Sequence, residues 1–445
     1  MSGGGGTALV PAPGAPPWPG LFLGLSPTGG PVCAGPQQSV LVLGPPRSGK
    51  TVSVVDPCVL SAPGAVVATS TKTDVFEVTA PARSRRGRCW VFDPSASFIV
   101  PDWATPLRWS PVAGCREWGV ALSMAHALVG AARPVRVLTE SPHWLERAEA
   151  LIGPLLHAAA LGDLSVSAVV RWVLRRQVAE PVRILTSRGE ELARDVLAGI
   201  IATEERERSG IFSTAANVLA PYRDAAVCAA AGDPNFSPTD FVRTADTVYI
   251  CFPAAEQDLF APLVVALLEQ IRRATYRRAA GEAGWPPVVW ALDEAANIAP
   301  LPSLPAVVSE GASQGLLCLV CLQDLSQARV RWGAAADGFL SLFGAKVVLP
   351  GIADLRTLEV VSALAGDIDV ATESYSRPLG FSRRRGVPSV TRSWQRRRAL
   401  PPDAVARGAA GHALVIWGRL PPAYVGLSPY WTPPWSTLVA GSGRS

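Results

Sequence analysis

Gly44-Pro45-Pro46-Arg47-Ser48-Gly49-Lys50-Thr51 is the stretch that decides the fold. Its spacing, G-x-x-x-x-G-K-[ST], is that of a loop that cradles phosphate, and the apolar Val40-Leu41-Val42-Leu43 before it reads as a buried strand. A helix is predicted from Thr51 onward, which gives the motif the strand-loop-helix context it requires. A loop without bulk lets successive backbone N–H groups point at phosphate oxygens while the helix N-terminus adds its positive dipole end. Lys50 is then expected to reach the β- and γ-phosphates, and the Thr51 hydroxyl to ligate Mg2+. Lysine occurs only at 50, 72 and 346, so a chance lysine between Gly49 and Thr51 is improbable. Pro57 must end the following helix early or kink it.

Outward from the loop, Gly64-Ala65-Val66-Val67-Ala68-Thr69-Ser70-Thr71 and Arg88-Cys89-Trp90-Val91-Phe92-Asp93 read as buried strands, with a helical segment over 73–83 between them. Thr247–Phe252, Pro287–Glu294, Gly315–Gln323 and Ala345–Leu349 continue the pattern, with a helix over 259–280, and Ala413–Trp417 reads as the last strand. Strands alternating with helices predict an α/β fold built on a doubly wound parallel sheet, whose ligands bind at the carboxyl ends of the strands. From about Ser110 to Ala231 helical periodicity takes over. Trp144, Ala148, Leu151, Ile152 and Leu155 form one stripe, and Leu192, Val196, Leu197 and Ile200 another, both expected to face a core. The expected organisation is therefore a Gly/Pro-rich flexible leader (1–35), a nucleotide-binding domain in two segments (36–109 and 232–427), an all-helical insertion (110–231) and a tail over the surface (428–445).

The 445 residues suffice for two domains; 49% are hydrophobic and only 17% charged. The net charge of +5, nearly all from arginine, suggests a polyanionic partner. Eight cysteines lie mostly in apolar runs, as in a reducing compartment, and Cys318 and Cys321 fall on opposite sides of one predicted strand, unlike metal ligands. The four histidines show no ligand spacing. No apolar run has the length of a membrane span and no signal-peptide pattern is present, so a cytoplasmic chain is expected.

The predicted strand Pro287–Leu292 closes on Asp293 and Glu294. Downstream of a phosphate loop, such a pair suits nucleotide hydrolysis: Asp293 to hold Mg2+, directly or through water, and Glu294 to orient and deprotonate the attacking water. Gln323 closes the neighbouring strand with an amide that either donates to the γ-phosphate or serves a turn. Lys72, with Asp74 near it, either approaches the same rim or forms an ordinary exposed pair.

The loop 44–51, Ser70-Thr71-Lys72-Thr73-Asp74, Leu292-Asp293-Glu294-Ala295-Ala296-Asn297-Ile298, Glu310-Gly311-Ala312-Ser313-Gln314-Gly315 and Leu322-Gln323-Asp324-Leu325-Ser326-Gln327 together resemble the type IV secretion coupling proteins, the TraG/TraD-like ATPases of bacterial conjugation. The resemblance runs from about Ser39 to Leu427. It implies a RecA-like P-loop NTPase and a homo-hexameric ring that hydrolyses ATP with Mg2+ and delivers relaxase-bound single-stranded DNA, or protein effectors, to a secretion channel. The helical insertion would face the relaxosome or other cargo. Carried over, Lys50 and Thr51 would bind phosphate and Mg2+, Asp293 the metal, Glu294 the water and Gln323 the γ-phosphate.

Two departures qualify that picture. Many relatives carry an arginine finger after the glycine corresponding to Gly311; this chain has Ala312, leaving Arg329, Arg331 or another arginine as a substitute, or slow hydrolysis. No N-terminal membrane anchor is read, so recruitment to the inner face of the membrane would need a partner. Two functions are therefore expected: a DNA-translocating ATPase, with arginines near 83–88, 383–385 and 396–398 either neutralising DNA phosphates or forming solvated loops, or an ATP-binding recruitment platform that barely hydrolyses.

Overall fold

The computed structural model describes residues 20–132, 142–282, 284–376, 389–418 and 420–440. The strands, in chain order, are β1 (Phe22–Leu25), β2 (Pro31–Cys33), β3 (Val40–Leu43), β4 (Val66–Ser70), β5 (Cys89–Phe92), β6 (Thr105–Pro106), β7 (Thr247–Cys251), β8 (Val288–Leu292), β9 (Leu316–Leu322), β10 (Ala345–Val348), β11 (Asp367–Ser376), β12 (Ser389–Arg398), β13 (His412–Trp417) and β14 (Ala423–Gly426). Twelve of them form one sheet in the order β2-β1-β14-β13-β10-β3-β9-β8-β4-β7-β5-β6, and β11 and β12 pair as a separate hairpin.

From β10 to β6 all neighbours are parallel; from β10 outward through β13, β14, β1 and β2 they are antiparallel. The central parallel strands β3, β8 and β9 are apolar throughout because both faces are covered. Alternate residues serve different cores: Leu41, Trp290, Cys318 and Val320 face the helices of the central stretch. Val40, Val42, Ala291, Leu319 and Cys321 face α1 (Asp56–Ser61) and α2 (Asp74–Arg83). Cys318 and Cys321 thus lie in opposite cores, both as free thiols.

Between β6 and β7 only helices occur among the described residues, the principal ones being Trp118–Ala131 (α3), Pro142–Leu161 (α4), Val166–Arg175 (α5), Ala179–Arg188 (α6), Glu191–Ile201 (α7) and Glu205–Val218 (α8). The stripe Ala148, Leu151, Ile152 and Leu155 is buried, with Trp144 half-buried. The second stripe is misregistered: Leu197 and Ile200 are buried beside Ala193, whereas Leu192 is 73% exposed and Val196 also faces solvent. A short amphipathic helix fits several stripes, and packing on α4 chose Ala193 over the larger leucine. The helices share one continuous core with a face of the sheet, and Trp109 Nε1 donates to Gln270 Oε1 of the helix Gln257–Gly281 at 2.7 Å.

Three expectations are corrected. The leader does not extend to residue 35: Phe22–Leu25 and Pro31–Cys33 are sheet strands, Leu21, Phe22 and Leu23 are buried, and Leu25 pairs with Gly426. Its glycines read as a linker, yet Gly20 and Gly24 have positive φ and lie where a Cβ would clash with neighbouring strands. Residues 1–19 are outside the described residues. Arg396, Arg397 and Arg398 lie on β12, not in a loop, while 383–385 fall outside the described residues. Finally, β13 is not the last strand, because β14 returns antiparallel beside it.

The segment over the surface from Ser428 is anchored: Trp435 is 0% exposed and meets Phe22 edge-on at 4.8 Å.

Candidate functional site

The strand order puts β3 beside β9 and β9 beside β8, so the loop, Gln323 and Asp293-Glu294 emerge side by side at the carboxyl edge. Registers agree, with Leu43 opposite Leu322, and Leu292 opposite both Val320 and Thr69.

Gly44 leaves β3 where a Cβ would come within 2.7 Å of Ser48 Oγ and 2.9 Å of Leu349 Cβ. Arg47 and Gly49 take positive φ, 63° and 94°, and wind the backbone so that Lys50 enters the helix. Lys50 is buried, and its Nζ donates to the carbonyls of Gly44 at 2.5 Å and Pro45 at 2.9 Å, holding the ammonium inside the loop. Ser48 Oγ is buried without a partner. A cradle that needs a glycine at 44, a lysine inside it and a spare buried hydroxyl fit a phosphate group.

Across the crevice, Thr51 Oγ1 donates to Asp293 Oδ2 at 2.7 Å. Thr69 Oγ1, from the end of β4, donates to the Asp293 carbonyl at 2.9 Å, and the Glu294 N–H reaches Asp293 Oδ1 at 3.1 Å. Burial pushes the Asp293 carboxyl up to about 6, aided by the charges of Glu294 and Asp74 and opposed by Thr51 and Lys50. A hydroxyl and a buried carboxylate beside a lysine are the donor set a small divalent cation takes alongside phosphate oxygens. Glu294 is half-buried in a left-handed conformation, φ 52°, which turns the chain sharply into the short helix Ala295–Ile298. The Asn297 N–H returns to the Glu294 carbonyl at 2.9 Å, and its Nδ2 lies 3.4 Å from Glu294 Oε2.

Gln323 is half-buried next to the loop, since the Gly44 N–H donates to the Leu322 carbonyl at 3.1 Å; its own N–H is taken by Gln327 Oε1 at 2.9 Å. Lys72 is exposed, and Asp74 accepts from Ser70 Oγ at 2.7 Å.

Ala312 packs half-buried against the sheet core. Both candidate replacements for a finger are engaged within the chain: Arg329 with Asp354 at 3.1 Å, Arg331 Nε with the Ala296 carbonyl at 2.9 Å. The Arg331 bond ties the helix after Gln323 (Leu325–Trp332) to the one after Glu294.

The arginines near 83–88 form a staple. Arg83 is 1% exposed; its Nε donates to Thr247 Oγ1 and its terminal nitrogens to the carbonyls of Ala62, Gly64 and Ala245, each at 2.8 Å. Burial lowers its pKa to about 10. Arg86 bonds the Ala62 and Pro63 carbonyls, and Arg88 stacks over Trp90. Arg83 and Arg86 thus satisfy carbonyls of the loops that lead into β4 and β7, which a charge count along the sequence does not reveal.

Asp56 was not singled out by sequence. It is 1% exposed five residues beyond Thr51, and its Oδ1 has no partner. Burial, then Asp74 and Asp293, push its pKa up to about 8. An acidic residue one turn into an otherwise apolar helix was the available signal.

Two family models match: "Type IV secretory system Conjugative DNA transfer" over residues 23–109 and "TraM recognition site of TraD and TraG" over 287–408. The chain is 25% identical over 358 residues to the protein VirD4 of Agrobacterium fabrum, covering 78% of this chain and 52% of that one. It is 27% identical over 325 residues to a conjugal transfer protein TraG of Escherichia coli, covering 67% and 50%. The chain thus spans about half the length of these curated relatives. Among solved structures, the bacterial conjugative coupling protein TrwBdeltaN70 superposes with a TM-score of 0.67 at 20% identity over 91% of this chain and 89% of that one. The plasmid coupling protein TrwB in complex with ADP and Mg2+ gives 0.67 at 20% identity over 92% and 89%. Both share the fold.

Proposed function

The chain belongs to the type IV secretion coupling proteins, and from that premise we propose that it binds ATP with Mg2+ at the crevice of Lys50, Thr51, Asp293, Glu294 and Gln323 and couples hydrolysis to delivery of cargo. The observation that carries this is the 2.7 Å bond between Thr51 Oγ1 and Asp293 Oδ2, which joins the segments that follow β3 and β8 at the edge where such sheets bind ligands.

Lys50 exchanges its two loop carbonyls for the β- and γ-phosphate oxygens, and the loop's N–H groups bind the phosphates. Thr51 and Asp293 would hold Mg2+, which would supply charge neutralisation to the transferred phosphoryl group. Glu294 accepts the proton of the attacking water. Gln323 donates to the γ-phosphate, and its backbone bond to Gln327 passes the loss of that contact to the helix behind it. TrwB structures carry ADP with Mg2+ and a non-hydrolysable ATP analogue on this fold, which supports the same ligands here.

The cargo is single-stranded DNA with its relaxase, or protein, and the working form a homo-hexameric ring. Segments 20–109 and 232–427 form the nucleotide domain and 110–231 the face toward the relaxosome or effector. No helix among the described residues is long and apolar enough to cross a membrane.

Steady-state ATP hydrolysis tests this. The rate should rise with protein concentration and single-stranded DNA, fall by at least about 100-fold in Glu294→Gln and vanish in Lys50→Ala. Undiminished turnover in Lys50→Ala would remove the site. Ala312, with Arg329 and Arg331 engaged elsewhere, favours a second reading, a nucleotide-gated recruitment platform. A flat rate near background with nucleotide still bound, raised by Ala312→Arg, would select it.

A further inference from the structure

The helix after the phosphate loop opens with a π-turn over Thr51–Val55. The Asp56 N–H therefore donates to the Thr51 carbonyl, five residues back. The Val52 carbonyl then has no helical donor: the N–H of residue 56 is used, and residue 57 is proline, which has none. The donor comes from 378 positions further along, where the Tyr430 N–H meets the Val52 carbonyl at 2.9 Å.

The segment that supplies it is held as a strap. Trp435 fills a small core with Phe22 of β1, Leu60 of α1 and Ala82 of α2; Tyr430 and Leu438 pack on its rim. Arg85 Nη2 donates to the Leu438 carbonyl at 2.7 Å. Strand β1, the phosphate-loop helix and α2 are thus clamped by one stretch, and its single main-chain bond to the helix falls one residue from Thr51.

We propose that residues 428–438 are a positioning segment for the nucleotide site, acting through the Val52 carbonyl to fix the first turn whose N–H groups and Thr51 hydroxyl meet the phosphates and Mg2+. The inference rests on the nucleotide reading above. The π-turn aims Thr51 at Asp293, proline at 57 withholds the N–H that would continue the π pattern to the Val52 carbonyl, and the Tyr430 N–H satisfies the carbonyl that this arrangement strands. Strap docking and nucleotide binding are then reciprocally linked.

The test compares MgADP affinity and apo-state amide exchange at residues 51–56 in Tyr430→Pro, which deletes the N–H, and Tyr430→Ala, which keeps it and removes the ring. Tyr430→Pro is expected to weaken MgADP about fivefold and to speed exchange by a similar factor, the worth of one buried backbone bond. Tyr430→Ala should do neither. Pro57→Ala, which supplies a helical donor, should restore Tyr430→Pro; rescue distinguishes positioning from general damage. If Tyr430→Pro does not fold, Trp435→Ala with and without Pro57→Ala gives the same comparison. Wild-type protein that binds MgADP while the variants bind it equally and exchange equally overturns this inference alone. Wild-type protein that binds no MgADP overturns the nucleotide reading and this inference with it.

Discussion

The layer formed by α1 and α2 over the sheet and the β11–β12 hairpin both carry arginines and carboxylates, and treat them in opposite ways. In the helix layer Arg83 is buried among carbonyls and Asp56 is buried with an orphaned oxygen. On the hairpin Arg392 pairs with Glu373 at 2.7 Å, and Arg396 and Arg398 flank Asp367 at 3.2 and 3.1 Å, in contact with water. A charge in the first region is held by groups with no alternative partner, so removing it strands them. A charge in the second is already hydrated, and its pairing adds little. The same residue types thus have structural weight in one place and are available to partners in the other.

The sharpest way to break this contrast is Arg83→Met, which leaves the Gly64 and Ala245 carbonyls bare and the Ala62 carbonyl with Arg86 alone, and should destabilise by about 3–5 kcal/mol in urea unfolding. A loss under about 1 kcal/mol would mean that water replaces the guanidinium and that the layer is no drier than the hairpin.

Asp56 gives a pH-dependent version. Its pKa in the folded chain, about 8, lies above the ordinary 3.8, so the fold binds its proton more tightly than the unfolded chain does. The stability tied to that proton is fully present below about pH 4 and declines as pH rises through about 8. Asp56→Asn should therefore match wild type at pH 4 and exceed it by about 5 kcal/mol at pH 9. Equal stability at both pH values would show the carboxyl to be solvated.

The smallest effect belongs to the hairpin. Arg392→Ala should change stability by less than about 0.5 kcal/mol and lose even that in high salt, because Arg392 is 79% exposed. A cost above about 2 kcal/mol would place the pair in a covered interface.

Much of the fold was legible because its signals are local. The loop 44–51 and the run ending in Asp293-Glu294 each carry a strand and its functional terminus in one stretch, and β3, β8 and β9 are apolar without interruption. What escaped depends on partners distant in sequence. Leu21–Leu25 is too short and too close to glycines to stand out, and is a strand because Gly426 lies beside it. Arg83 reads as a surface charge until Ala245 is brought 2.8 Å from it. The third positive-φ position near the site, Glu294, is a non-glycine that no turn pattern betrays. Thr69 Oγ1 reaches Asp293 only because β4 and β8 are neighbours.

The bond between Thr51 and Asp293 closes a loop of 242 residues. Loop-closure entropy grows only slowly with length, so this costs little at equilibrium, but contacts of such separation are among the last a chain makes. In the finished sheet β9, which follows both residues in the chain, lies between β3 and β8 and sets the spacing at which the two side chains meet. A ligand that takes both sides of the crevice therefore stabilises the assembled sheet and not the unfolded chain. Ligand occupancy becomes a certificate of complete folding.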